Sequence, residues 1–207
     1  MGNPSTSLTA ATAAADTDRF VVIGNGTMKN AAYTLSVTSM PEAGTARRLT
    51  LTHASVGGVA DALGTVTIVG RNLAGETITE VITPLADQLA NGTKWFASIA
   101  SITGAGWTRN AGAGTEDTII VGCDATAIVA EAGAGTLYGC VINTTANGTI
   151  TIADGAGLSI VLPANVAVGT SYEWGVKWTA YLSVAVAAAS NISVIHSGSM
   201  PATYAMS

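Results

Sequence analysis

Charge is the scarcest commodity in this chain: Asp, Glu, Lys and Arg make up only 10% of 207 residues, against roughly 25% in ordinary soluble domains. The net charge is −5, and the only adjacent basic pair is Arg47-Arg48. Binding to phosphates needs clustered positive charge, so a nucleic-acid role is not expected. No apolar run reaches 18 residues, so no transmembrane helix is expected either. The first 19 residues, MGNPSTSLTAATAAADTDR, have neither a basic start nor an apolar stretch, and so do not read as a secretory signal. There are two cysteines, Cys123 and Cys140, too few for a disulfide framework, and they are expected to be buried free thiols.

Reactive side chains are equally sparse. There are two histidines, His53 and His196, and no G-x-S-x-G elbow. His53 alternates with Leu49 and Leu51, which suits a satisfied interior imidazole. His196 ends the apolar run SVIH and is expected at the surface. No C-x-x-C or H-x3–5-H spacing exists for zinc, and the acids of DTDR and GTEDT are too few for a calcium loop and read as solvated. Glu76 and Glu80 lie four apart on one strand, about 13 Å along it, too far for a pair of glycosidase carboxylates. The glycines of VVIGNGTMKN and GAGAGTED are not followed by helical patterns, so they suit turns rather than phosphate cradles. No catalytic residue, cofactor or metal is therefore expected, and the chain is not expected to be an enzyme.

What the chain does have is short alternating strands. GTVTIVGRNLAGETITEVITP (64–84) reads as a hairpin, with Val66 and Ile68 on one face of its first strand and Ile78, Glu80 and Ile82 on one face of its second. A charge among inward positions is one way an edge strand avoids wrong pairing. Leu49 and Leu51 oppose Arg48, Thr50 and Thr52 in another strand. Asn-Gly pairs at 25–26 and 147–148 are hairpin signals, and a strand is expected around Tyr33 to Val37. Trp95 and Phe96, and Trp174 and Trp178 of YEWGVKW, are expected as packing or contact anchors. Downstream of Glu131 only Asp154, Glu173 and Lys177 are charged. The expected fold is all-β: an extended N-terminal arm (1–18), a first β-sandwich (19–128) and a second sandwich or jelly roll (129–207), meeting near 124–135.

The stretch ARRLTLTHASVGGVADALGTVTIVGRNLAGETITEVITP, with NGTKWFASIASITGAGW after it, resembles a β-sandwich module of tailed-bacteriophage virion proteins over residues 46–107. The later AGTLYGCVINTTANGTITIADG and SYEWGVKWTAYLSVAVAAASNISVIHSG are similar to a second, jelly-roll phage module, with Tyr181-Leu182 where that module has Gly-Leu and His196 where it ends in an aromatic. The resemblance implies a capsid decoration (cement) protein on the virion surface, made in the bacterial host cytoplasm. Its partners would be the major capsid protein and, as a homotrimer, itself. The first sandwich would bind the capsid, and the second would make the trimer contact or an outward knob. A tail or head-to-tail component and a host-surface or glycan-binding spike are the alternatives. Arg47, Arg48, Glu80, Trp95, Phe96, Trp174 and Trp178 are the candidate contact residues.

Overall fold

The computed structural model describes residues 6–12, 15–56, 61–110, 115–130, 133–187 and 190–198. The fold is all-β, with 14 strands and one 3-10 turn, Ile23–Asn25, among the described residues. The strands group into two compact units. One draws on Met1–Ala14, Pro41–Ala46 and Ala125–Ser207, the other on Ala15–Met40 and Arg47–Asp124.

The first unit is a jelly roll. Its strands are β1 (Thr6–Thr12), the last part of β8 (Thr118–Ala130), β9 (Gly135–Ile142), β10 (Ile150–Ala153), β11 (Ser159–Leu162), β12 (Ser171–Trp178), β13 (Leu182–Val186) and β14 (Ser190–Gly198). They form two antiparallel rows, β1-β14-β9-β12 and β11-β10-β13-β8. Counted along the chain, the first strand lies beside the last, the second beside the seventh, and the fourth beside the fifth. That nested pairing is the signature of a jelly roll. Alternation places Leu137, Cys140, Ile142, Ile192 and Val194 of one row against Ile150, Ile152, Leu182, Val184 and Val186 of the other in a single buried cluster.

This topology corrects the expected arm. Residues 6–12 are the jelly roll's first strand, in register with β14 from Thr6 opposite His196 to Thr12 opposite Ser190. Asp16–Val21 is a separate strand, β2, of the other unit. TSLTAAT has one large apolar residue, so no hydrophobic pattern announces it. The domain order changes with it. The first sandwich is an insertion between the first and second jelly-roll strands, and the division falls between Asp124 and Ala125, at the start of the expected junction.

Deleting residues 1–12 is therefore expected to strip a seven-residue ladder from β14. At roughly 0.5 kcal/mol for each hydrogen bond of an edge ladder, the low end of the net range, this costs the jelly roll about 3–4 kcal/mol. The bare edge also promotes association, because an unpaired strand is a template for another. Urea unfolding followed by amide exchange in 125–198, with sedimentation, checks both effects.

The inserted unit holds β2, β3 (Ala46–Ala54), β4 (Thr65–Arg71), β5 (Thr77–Ile82), β6 (Leu89–Asn91), β7 (Ser98–Ala105) and the first part of β8. One row runs β8-β3-β6 with β2 also on β8, and the other runs β5-β4-β7. Between them Phe20, Leu49, Leu51, Val66, Ile68, Phe96, Ile102, Ile119 and Val121 are sealed from solvent. The hairpin expected at 64–84 is β4–β5, with Val66 opposite Ile82 and Arg71 opposite Thr77. Its loop closes because the Asn72 carboxamide accepts the Glu76 amide and Gly75 adopts φ 79°, which a side chain resists.

Other turn signals mislead. Asn25-Gly26 ends the 3-10 turn, and Asn147-Gly148 joins β9 and β10, which lie in different rows. The segment around Tyr33 makes only isolated bridges, Ala32 with Thr103 and Ser39 with Ser98.

Candidate contact residues and a buried polar network

The seven candidate contact residues separate by burial. Arg47 is completely buried, donating from Nη1 to the Asp124 carbonyl at 2.6 Å. Phe96 is completely buried beside it, and the two exchange backbone hydrogen bonds of 2.9 Å in both directions. Trp178 is buried in the jelly roll, with Nε1 donating to the Ser197 carbonyl at 3.1 Å. Gly135 permits this, since a Cβ there would strike the Ser197 carbonyl and sit 2.6 Å from Nε1 of the Trp178 ring. These three are interior groups of the folded chain: Phe96 and Trp178 are packing anchors, and the expectation that Arg47 reaches a partner is corrected.

Glu80 is also interior, 7% exposed, although its strand β5 is the edge of its row. Its Oε1 accepts the Thr93 amide at 2.5 Å, the Thr93 hydroxyl at 2.9 Å and the Lys94 amide at 3.3 Å. The charge that broke the apolar pattern thus anchors the 92–94 turn. Arg48 lies over the Trp95 ring at 4.5 Å, a cation–π pair with both side chains half-buried. Trp174, half-buried, stacks on Tyr172 at 5.8 Å with the rings 7° from parallel. Arg48, Trp95 and Trp174 remain available at the surface in part.

The more exposed apolar groups were not among those seven. Val81 (59% exposed), Leu85 (47%) and Leu89 (45%) border a groove of about 390 Å³ between edge strands β5 and β6, floored by Ile82 and Ala90. A signal existed: in TITEVI, Val81 is apolar on the face opposite Ile78 and Ile82. A second groove, about 340 Å³, lies along β9 and β12 beside Tyr138, Tyr172, Trp174 and Ile195.

His53 is fully interior, as its alternation with Leu49 and Leu51 suggests. Its Nε2 donates to Asp117 Oδ2 at 3.0 Å, while Nδ1 accepts the Asp87 amide at 3.0 Å. Asp117 also accepts the amides of Val56 (2.8 Å) and Asp61 (2.8 Å), and its own amide returns to Asp61 Oδ2 at 2.8 Å. The Asn110 amide reaches Asp61 Oδ1, and the Ser55 amide and hydroxyl reach Asp87. Both imidazole nitrogens are occupied by structural bonds, and Ser55 faces Asp87 rather than His53, so no nucleophile–base pair is assembled here. The amide of Asn110 chiefly, with that of Asp117, outweighs burial and holds the Asp61 carboxyl below the usual range; Ser55 does the same for Asp87. Asp117 in GTEDT is sealed, not solvated as its loop composition implied.

His196 is buried, not at the surface, with its ring edge-on to Trp178 at 6.4 Å and Nδ1 without a hydrogen-bond partner among the described residues. Burial holds its pKa below the ordinary 6.5. Among the described residues, no group of three or more His, Cys, Asp or Glu is placed to hold a metal, and no helix is long and apolar enough to cross a membrane.

Cys123 and Cys140 are free and buried, as expected, and burial pushes both thiols up to about 11. At pH 8 the thiolate fraction is then about one in a thousand. Neither cysteine is expected to react with a thiol-disulfide reagent in the folded chain over hours, and both are expected to react at once in denaturant. Stoichiometric labelling under native conditions would contradict this.

No family model matches the chain, and none of the curated proteins matches it.

Proposed function

We propose that this chain is a structural virion protein of a tailed phage, a capsid decoration or cement protein that binds the outside of the major capsid lattice and stabilises the head. The observation that carries the reading is the groove between the two edge strands β5 and β6. Val81, Leu85 and Leu89 stand exposed there on a surface poor in charge. Such an edge can add a strand from a neighbour through main-chain hydrogen bonds while the leucines and valine bury apolar area. Repeated over a symmetric shell, modest contacts become strong by avidity. The resemblance of residues 46–107 and of the later jelly-roll segments to phage virion modules agrees with it. The fold alone would not decide the matter, since jelly rolls serve many functions.

The test is stoichiometry and heat. Purified virions should carry the protein in numbers comparable to the capsid subunits, and heads lacking it should release DNA at lower temperature. A variant with Val81→Asp and Leu89→Asp should fold but no longer bind such heads. A copy number matching one symmetric ring would instead make it a tail or head-to-tail component.

The groove beside Tyr138, Tyr172 and Trp174 is the one observation favouring a host-glycan spike. Tyr172 and Trp174 stack on each other, however, and both pack against the jelly-roll core, so they do not offer two open faces in a row. Retention on host polysaccharide that disappears in Trp174→Ala would favour the spike.

A further inference from the structure

We propose that His53 is a proton-operated latch on the loop that walls the β5–β6 groove. In the arrangement observed, Nδ1 must be unprotonated, because it accepts the Asp87 amide at 3.0 Å, while Nε2 carries the proton donated to Asp117. A proton arriving on Nδ1 meets the Asp87 N–H head-on, and that hydrogen bond is lost. The replacement partner is already in place: Asp87 Oδ1 stands 3.7 Å from Nδ1. Swinging it inward requires the carboxylate to let go of the Ser55 amide and hydroxyl, which it now holds at 2.6 and 2.9 Å.

The backbone at this point is suited to switching. Asp87 sits at φ 52°, in the left-handed region that a non-glycine residue occupies at some cost, and it lies in the turn between β5 and β6. The loop also holds β3 through the Gln88 carbonyl, which accepts the His53 amide at 3.3 Å. Leu85 and Leu89 flank the turn and line the groove, so reorienting 85–88 changes the apolar surface the inserted sandwich presents.

The carboxylates around the ring work in the same direction. Asp117 faces Nε2, and Asp61 is bound to Asp117 on its far side. Arg109 and Glu116, 3.6 Å apart, form a pair beyond them. A protonated His53 is therefore met by carboxylates on both nitrogens, and the change is a rearrangement of one loop rather than unfolding.

Nitrogen-15 and amide NMR of the full chain between pH 8 and 5 tests this. At pH 8 the His53 ring should show the Nε2–H tautomer. As the ring titrates, the Asp87 and Ser55 amide signals should move with the same midpoint. Exchange of those two amides should rise about tenfold relative to its intrinsic pH dependence, while Val56 and Asp61, which bond to Asp117, stay protected. His53→Gln, which has no proton to gain, should abolish the Asp87 and Ser55 transition, and His196→Gln should leave it intact. The proposal falls if the Asp87 amide does not follow the His53 titration in the unaltered chain, a readout that holds even if His53→Gln does not fold. It falls equally if the transition persists in His53→Gln or vanishes in His196→Gln.

Discussion

Asp117→Ala is expected to lower the stability of the inserted sandwich by about 4 kcal/mol. Three donors converge on this one buried carboxylate: the His53 ring and the amides of Val56 and Asp61. Alanine leaves all three in a water-poor interior, where each unmet polar group costs about 1–3 kcal/mol. The Asp117 amide keeps its bond to Asp61, so the loss is confined to the side chain. Asp117→Asn should cost about half as much, because its carbonyl oxygen still accepts but its amide group faces a donor. The measurement is urea denaturation followed by amide exchange in β3, β4 and β7. An unchanged midpoint for Asp117→Ala would mean that the network does not hold the loops together.

In the jelly roll the largest expected effect is at Trp178. Trp178→Ala removes a fully buried indole and its hydrogen bond to Ser197, a loss of about 4 kcal/mol when the hole cannot collapse. It has a second consequence, through His196. That imidazole is held below its ordinary pKa of 6.5 by burial alone, so the folded state binds fewer protons than the unfolded one. Its share of stability is complete above pH 6.5 and is lost as pH falls below that value toward the depressed folded pKa. Opening the Trp178 site to water relaxes the burial. The variant should therefore be less stable at pH 7.5 yet lose less further stability between pH 6.5 and 5 than the parent. Unfolding midpoints at pH 7.5, 6.5 and 5, compared with those of His196→Phe, separate the cavity from the proton.

Local pattern was legible in the sequence because it is decided locally. The β4–β5 hairpin follows from alternation on both sides of a turn that Asn72 and Gly75 can close, and the phase of Leu49, Leu51 and His53 gave the buried face of β3. What could not be read was set by distant partners. Arg47 is drawn inside by a carbonyl 77 residues away, and Asp117 by an imidazole 64 residues away; neither segment carries a mark of this. Glu80 was visible as an exception, but the three donors that explain it come from 93 and 94, outside its own strand. His196 looked terminal in the chain and is interior in the fold because β14 lies between β1 and β9. The β5–β6 groove was missed for a related reason. Single apolar residues such as Leu85 and Leu89 carry no period, and only the meeting of two edge strands makes them a surface.

The insertion of one sandwich into the other sets the order in which the chain can finish folding. On the ribosome the inserted unit is complete once residue 124 has emerged, whereas β1, made first, has no partner until β14, made last. Joining residues 6–12 to 190–196 pairs strands from far apart in the sequence, the kind of non-local closure that slows folding. Until it occurs, β1 and the edge of β14 that receives it are both unpaired, and at high concentration a second chain can supply the missing strand.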